Sequence, residues 1–152
     1  MTTISIVTGG SRGLGRNTAI SIAKHGGDVI LTYRNGAEEA KAVVAEIEAL
    51  GRKAVALQLD VGTISAFPAF ADAVRSVLTV TWSRINFDHL INNAGHGEMA
   101  SFAETTEAQF DNLFNVHVKG GTDSLITSTT ANIAGGAISL TVGGLDDSTS
   151  AK

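Results

Sequence analysis

The sequence contains no cysteine and only one proline in 152 residues. Without cysteine the chain can form no disulfide framework, no thiolate metal site and no cysteine nucleophile. Basic residues are also few, since 11 Lys and Arg stand against 15 Asp and Glu. A net charge of -4 predicts no surface for nucleic acid or an anionic membrane. No basic segment leads into a long apolar one near the N-terminus, so we expect neither secretion nor a membrane span, and a cytoplasmic location.

Small residues are abundant and unevenly placed. The chain holds 17 glycines, and 43% of its residues are hydrophobic, which predicts one globular domain over residues 1–152. Between Gly120 and Lys152, 17 of 33 residues are Gly, Ser or Thr and none is aromatic. Residues 120–152 therefore form a divergent C-terminal part in which element prediction is weak.

Short β-branched runs alternate with longer segments of helical period over the first two thirds of the chain. Strands are predicted over Ile4–Val7, Asp28–Tyr33, Lys53–Leu59, Phe87–Ile91 and Ala137–Val142. Helices are predicted over Gly13–His25, Ala37–Leu50 and Ala69–Val80, with a fourth capped by Thr106. This alternation is typical of a parallel sheet with crossover helices. We therefore predict an α/β fold of the Rossmann type, doubly wound, with about five parallel strands between two helical layers.

A glycine-rich loop over Thr8–Gly15 joins the first strand to the first helix. Glycines permit a tight turn and let the backbone approach a pyrophosphate closely, while helix N–H groups and the helix dipole face the anion. The strand before the loop and the helix after it distinguish this loop from an ordinary turn. The sequence therefore predicts a nucleotide-binding site here.

Three motifs resemble those of the short-chain dehydrogenase/reductase family. Its Thr-Gly-x-x-x-Gly-x-Gly fingerprint is matched by Thr8–Gly15, its adenine-contacting Asp by Asp60–Val61, and its Asn-Asn-Ala-Gly by Asn92–Gly95. The resemblance covers Ile4 to Gly120 and then loosens. It implies an oxidoreductase that transfers a hydride between a nicotinamide cofactor and a carbonyl or alcohol substrate.

The resemblance also implies which residues hold the cofactor. The pyrophosphate corresponds to Gly9, Ser11, Arg12, Gly13, Leu14 and Gly15, and the adenosine 2′-phosphate to Arg34. The adenine corresponds to Asp60 and Val61, and the nicotinamide ribose to Asn93, Ala94 and Gly95. An NAD-selective site usually carries an acid at the end of the second strand. Here that strand ends in Tyr33-Arg34-Asn35, and a cation suits a 2′-phosphate. NADP is therefore predicted rather than NAD.

The catalytic motifs match less well. His117 stands where the family has the Asn of its proton relay, and we predict it as a catalytic residue, although packing on an apolar helix face explains it equally well. Val142 and Gly143 occupy the family's Ser-Ser position, so the family's substrate-orienting Ser is missing. The resemblance also implies a Tyr as acid/base in a Tyr-x-x-x-Lys motif, which this sequence does not contain, since its one tyrosine is Tyr33. A Ser-x-x-x-Lys spacing from Ser148 to Lys152 is better explained by an unstructured terminus.

Two functions remain open. The first is an NADP-dependent short-chain oxidoreductase acting on a small carbonyl or alcohol. The second is a catalytically silent nucleotide-binding fragment or module that lacks the Ser and the Tyr-x-x-x-Lys of the family. No metal site is expected from the histidine spacing. Family members commonly pair through the helix aligned with Phe110 to about Ala134, so the resemblance leaves a homo-oligomer open.

Overall fold

The computed structural model describes residues 2–101, 103–120, 131–134 and 137–139, the last two segments by their backbone alone. Its main sheet has four strands in the order β3-β2-β1-β5, and every pair is parallel. The strands in chain order are β1 (Ile4–Val7), β2 (Asp28–Tyr33), β3 (Ala54–Gln58), β4 (Asn86–Phe87) and β5 (His89–Ile91). The predicted α/β fold with a parallel sheet is confirmed.

In the described residues, α-helices follow β1, β2, β3 and β5, and the first three lie between strands of the parallel sheet. They are α1 (Gly13–Lys24), α2 (Ala37–Ala49), α3 (Phe67–Trp82) and α4 (Glu107–Phe114), and a π-helical segment, Asn115–Lys119, continues α4. Thr106 begins α4 as predicted, because its hydroxyl accepts from the Gln109 N–H while the Gln109 side chain accepts from the Thr106 N–H. This reciprocal capping box satisfies two N–H groups that the helix leaves open.

The sheet is covered on both faces. Successive strand residues point to opposite faces, so Ile6 and Ile30 pack in one core while Val7 and Leu31 pack in the other. The first core contains the apolar face of α3, and the second contains the buried faces of α1 and α2. This arrangement is the three-layer, doubly wound architecture that the alternating sequence predicts.

The predicted fifth parallel strand is different in the structure. Residues Ala137–Ser139 form β7, which pairs antiparallel with β6 (Ala131–Ala134), and β6 pairs antiparallel with β4. Only two residues separate β6 from β7, and a connection that short joins antiparallel neighbours but not parallel ones. The helix that the family resemblance implies as far as Ala134 is also different, because Ala131–Ala134 form the strand β6. Residues 140–142 of the predicted fifth strand lie outside the described residues.

The predicted strand Phe87–Ile91 is divided at Asp88. Phe87 belongs to β4 and is buried, whereas His89–Ile91 forms β5 beside β1. Asp88 binds the start of β1, because its carboxylate accepts from the Ile4 N–H at 2.7 Å and its own N–H donates to the Ile4 carbonyl at 2.8 Å. Both terminal nitrogens of Arg84 donate to the same carboxylate at 2.9 Å. Opposed by partial burial, these hydrogen bonds hold the pKa of Asp88 below its ordinary value.

None of the helices in the described ranges is long and apolar enough to cross a bilayer.

Candidate functional site

A cleft of about 320 Å³ lies across the carboxyl ends of the four parallel strands. All twelve residues predicted to hold a cofactor line it, namely Gly9, Ser11, Arg12, Gly13, Leu14, Gly15, Arg34, Asp60, Val61, Asn93, Ala94 and Gly95. Five further residues, which were not among the predicted cofactor ligands, complete the lining: Tyr33, Asn35, Leu59, His96 and Val116. The three motifs, distant in sequence, therefore share one cavity.

The glycines of the loop between β1 and α1 are required by its geometry. Gly9 and Gly13 adopt φ values of +67° and +56°, a conformation that L side chains rarely adopt. A Cβ at Gly15 would lie 2.2 Å from the Gly9 carbonyl oxygen and 2.4 Å from the amide nitrogen of Asn93. At Gly13, by contrast, a Cβ would meet no atom within 4 Å. The loop thus packs closely on its inner side and is open on its outer side.

The N-terminus of α1 adjoins this loop, and no acidic side chain in its first turn neutralises the positive end of the helix dipole. Arg12 is the N-cap, its side chain makes no capping hydrogen bond, and the first turn holds no acidic residue. The Arg16 N–H donates to the Arg12 carbonyl at 3.2 Å. The N–H groups before Arg16 therefore have no acceptor within the helix. Together with the open space at Gly13, these donors fit the pyrophosphate of a dinucleotide.

Two arginines lie exposed at the β2 side of the cleft. Arg12 and Arg34 both line it, and neither side chain has a hydrogen-bond partner or salt bridge within the described residues. Arg16, one helical turn from Arg12, is instead paired with Glu46 at 2.5 Å. Arg34 follows Tyr33 at the end of β2, as predicted, and no acidic side chain of β2 lies there. This side of the cleft therefore offers two uncompensated guanidinium groups.

Asp60 follows β3 and forms the next wall. One oxygen of its carboxylate accepts from the Gly62 N–H at 2.9 Å, so the side chain closes a short local turn. Val61 is buried beside it. A Cβ at Gly120 would lie 2.5 Å from the Val61 carbonyl oxygen, which shows that the end of the π-helical segment approaches this turn directly.

His117 does not line this cleft; it lines a smaller pocket of about 190 Å³ on the β5 side, which shares Asn93, Ala94 and Gly95 with the cleft. It packs over Gly95, where a Cβ would lie 2.6 Å from the imidazole Cε1. Its Nε2 lies 2.6 Å from the carbonyl oxygen of His96, a distance that requires Nε2 to carry the proton and donate. His117 is exposed, and its ring is bound to the loop after β5.

His96 is one of the lining residues that sequence reasoning missed. Its side chain is 24% exposed, and its Nε2 lies 3.4 Å from a carboxylate oxygen of Glu98 and 3.2 Å from the amide nitrogen of Asn112. The Asn112 amide also donates to the Glu98 carboxylate. The position of His96 immediately after Asn92–Gly95 was the signal that could have identified it. Its contact with α4 could not be predicted from the spacing of residues in the sequence. Within the described residues, no group of three His, Asp or Glu side chains could hold a metal ion.

Comparison with known proteins identifies the same family that the motifs indicate. A family model described as short chain dehydrogenase matches residues 3–134. A short-chain dehydrogenase/reductase of Pestalotiopsis microspora is 35% identical over 118 residues, covering 77% of this chain and 42% of that protein. The 3-oxoacyl-[acyl-carrier-protein] reductase of Staphylococcus aureus is 35% identical over 121 residues, covering 79% and 46%.

Solved structures agree. A short-chain dehydrogenase from Burkholderia cenocepacia in complex with NADP superposes with a TM-score of 0.69 at 40% identity, over 78% of this chain and 46% of that one. A blue fluorescent protein from a metagenomic library, in complex with NADPH, has a TM-score of 0.68 at 30% identity, again over 78% and 46%. The chain thus spans less than half the length of these relatives.

Proposed function

Because the chain belongs to the short-chain dehydrogenase family, we propose that it binds NADP(H) along the cleft and takes part in hydride transfer with a small carbonyl or alcohol. The observation that carries the proposal is the meeting of all twelve motif residues in one cavity at the strand ends. Ligands of open α/β sheets bind at this edge. When bound, the cofactor supplies a hydride donor or acceptor at its nicotinamide ring.

The order of the strands supports one orientation of a bound dinucleotide. From β3 to β5 the cleft presents Asp60, then Arg34, then the Gly9–Gly15 loop, then Asn93–Gly95. We assign the adenine to Asp60 and Val61, the pyrophosphate to the loop and the N-terminus of α1, and the nicotinamide ribose to the segment after β5. In this assignment the reacting ring lies at the β5 side, beside His96 and His117.

NADP is the proposed cofactor rather than NAD because of the charges at the end of β2. Arg34 and Arg12 are exposed and without a protein partner in the described ranges, so each can donate charge-assisted hydrogen bonds to a 2′-phosphate. An NAD site would place a carboxylate there to accept from the ribose hydroxyl. The complexes of relatives with NADP and NADPH agree with this choice.

His117 is proposed to serve the proton relay. Its Nε2 is held by the His96 carbonyl, which leaves Nδ1 as the nitrogen that can bind a water molecule. The ring lies against Gly95, within the segment assigned to the nicotinamide ribose. Any such relay would therefore begin beside the reacting ring.

A catalytically silent nucleotide-binding module is the second candidate. The observation that favours it is the position of the chain's one tyrosine, Tyr33, which lines the β2 side of the cleft. A phenol there cannot exchange a proton with a substrate at the β5 side.

We also propose a cytoplasmic location, on the basis of composition, and a homo-oligomer, on the basis of the family resemblance.

Two measurements separate the candidates. Titration with NADPH, followed by the fluorescence of its nicotinamide ring, tests binding. Oxidation of NADPH at 340 nm with a panel of ketones and aldehydes tests turnover. Binding with turnover that His117→Ala abolishes supports the oxidoreductase. Saturable binding without turnover on any carbonyl supports the silent module, and absence of binding contradicts both.

A further inference from the structure

The turn between β2 and α2 contains the one Asn-Gly pair of the sequence, Asn35-Gly36. Asn35 is exposed and lines the cleft directly after Arg34, and Gly36 is the N-cap of α2. Asparagine is a chemically labile residue. It is most labile before glycine, because no Cβ on the next residue hinders attack by that residue's backbone nitrogen. The labile pair therefore lies beside the cation to which we assign the 2′-phosphate.

Both groups that would react are unbonded within the described residues. The side-chain amide of Asn35 takes part in no hydrogen bond there, and the Gly36 N–H has no acceptor. The neighbouring carbonyls are held instead. That of Arg34 accepts from the Gln58 side chain at 3.0 Å, and that of Gly36 accepts from the Ala40 N–H at 3.1 Å. Neither reacting group therefore has to leave a partner among the described residues.

The second asparagine that lines the cleft, Asn93, is arranged in the opposite way. Its side-chain amide donates to the carbonyls of Thr8 and Gly9. The N–H of the next residue, Ala94, donates to the Thr8 hydroxyl at 3.0 Å. Both reacting groups are thus held at Asn93, and the reaction is favoured at Asn35 alone of these two.

Resting on the proposed function, we propose that Asn35 is a self-modification site that changes the cofactor preference of the cleft from NADPH toward NADH. The Gly36 nitrogen attacks the side-chain carbonyl carbon of Asn35 and forms a C–N bond. The amide nitrogen leaves as ammonia, with the proton that Gly36 loses. Water then hydrolyses the resulting succinimide at either of its carbonyls, which leaves aspartate or isoaspartate at position 35. No oxidant or reductant takes part.

The product carries a carboxylate where the intact chain has a neutral amide. A carboxylate at the end of the second strand accepts from the ribose 2′-hydroxyl of NADH. It repels the 2′-phosphate of NADPH, and it offsets the charge of the adjacent Arg34. At the separations found within one binding site, such charges alter affinity substantially. We expect the NADH dissociation constant, divided by that of NADPH, to fall about tenfold on complete conversion.

Peptide mass spectrometry tests the modification itself. The full chain is incubated without cofactor in warm, mildly alkaline buffer, and samples taken over time are digested with trypsin. Cleavage after Arg34 and Lys41 releases residues 35–41, in which Asn35 is the one asparagine. We expect this peptide to gain the mass difference between a hydroxyl and an amino group. A peptide 35–41 that keeps its mass would overturn the proposal.

Asn17 provides a matched control within the same chain. It is exposed and also follows an arginine, but it lies inside α1 and is followed by the β-branched Thr18. Trypsin releases it as the first residue of the peptide 17–24, so both peptides begin with asparagine and end with lysine. This control peptide should keep its mass. Equal conversion of Asn17 and Asn35 would contradict the argument from local structure.

Fluorescence titrations with NADPH and NADH test the effect on the cofactor. Asn35→Asp should show the lowered ratio of dissociation constants at once, and the incubated wild type should approach that ratio. Asn35→Gln should keep its own initial ratio throughout the same incubation, because glutamine closes a larger ring and reacts much more slowly. A ratio that falls equally in incubated Asn35→Gln would assign the change to another residue and overturn the proposal.

The outcomes distinguish this proposal from the function on which it rests. A fresh wild-type chain that binds neither cofactor contradicts the proposed function, and the change of preference with it. A fresh chain that prefers NADPH, and keeps that preference after Asn35 is converted, overturns the change of preference alone. A chain that prefers NADPH and leaves Asn35 unconverted also overturns the modification but supports the proposed function.

Discussion

Thr8 and Asn93 hydrogen-bond each other's backbone across the ends of β1 and β5. The Thr8 hydroxyl accepts from the Asn93 N–H at 3.0 Å, and the Asn93 amide donates to the Thr8 carbonyl at 2.9 Å. The same hydroxyl accepts from the Ala94 N–H at 3.0 Å, and the same amide donates to the Gly9 carbonyl at 3.2 Å. Two of the three motifs are therefore joined directly, and the floor of the cleft is built by this exchange.

Removing the hydroxyl of Thr8 should destabilise the fold. Thr8 is 4% exposed, so Thr8→Val leaves the N–H groups of Asn93 and Ala94 without an acceptor at nearly constant side-chain volume. Each unsatisfied buried donor costs about 1–3 kcal/mol, and we expect the free energy of unfolding to fall by about 2–4 kcal/mol. Urea unfolding followed by the fluorescence of Trp82, the one tryptophan, measures this. Thr8→Ser keeps the acceptor and should lose far less; equal losses in both variants would contradict the argument.

Gly15 should tolerate no side chain. A Cβ there would lie 2.2 Å from the Gly9 carbonyl oxygen, which is backbone and cannot move without displacing the loop. We expect Gly15→Ala to abolish NADPH binding in the fluorescence titration and to lower the unfolding midpoint. Gly97→Ala is the matched control, because a Cβ at Gly97 meets no atom within 4 Å and its φ is not positive. Wild-type binding by Gly15→Ala would show that the loop is not the phosphate site.

The sequence allowed the site to be predicted where local backbone geometry demands a particular residue. Gly9 and Gly13 are recognisable because positive φ excludes most other residues, and Arg34 because a strand end fixes its place at the sheet edge. Strand alternation in Ile4–Val7 and helical period in Ala37–Ala49 likewise reflect local patterns. These elements agree with the prediction to within one or two residues.

Predictions failed where the structure depends on distant contacts. His96 acquires its surroundings from Asn112, 16 residues away on another element, and no periodicity encodes that meeting. The predicted catalytic residue His117 lies on the π-helical segment Asn115–Lys119 and packs over Gly95, a contact that an ideal helical period does not predict. The antiparallel pairing of Ala137–Ser139 was missed because a short apolar run does not specify its partner strand. The residues Val142, Gly143, Ser148 and Lys152 lie outside those the structure describes.

Arg34 should determine the preference for NADPH over NADH. Arg34→Ala removes a cation at the end of β2 that no protein acid in the described ranges compensates. Since the side chain is exposed, we expect the NADPH dissociation constant to rise about tenfold, which is about 1.4 kcal/mol, and that of NADH to stay unchanged. Fluorescence titrations with both cofactors measure the ratio, and its decline with added salt in the wild type should be weaker in the variant. Lys24→Ala, at the far end of α1, is the charge-matched control. An unchanged ratio in Arg34→Ala would contradict the NADP assignment.

The ion pair of Asp88 with Arg84 should make stability depend on pH in the acid range. Hydrogen bonds from Arg84 and from the Ile4 N–H lower the pKa of Asp88 from its ordinary value of 3.8. A carboxyl whose pKa is lowered by folding stabilises the native state when ionised. This contribution is fully present above the unfolded pKa and is lost as the pH falls through the lower, folded pKa.

The variant Asp88→Asn isolates that contribution. At neutral pH we expect it to lower the free energy of unfolding by about 1–2 kcal/mol, the range for hydrogen bonds to a charged group discounted for partial exposure. The difference between wild type and variant should shrink below pH 3.8, because the wild-type carboxyl then becomes neutral too. Urea unfolding at neutral pH and at several acid values measures both. Asp72→Asn removes a carboxylate that is 70% exposed and should change stability little at any pH. A difference for Asp88→Asn that persists undiminished in acid would mean that the side chain acts through its shape, because loss of its charge would then have no effect on folding.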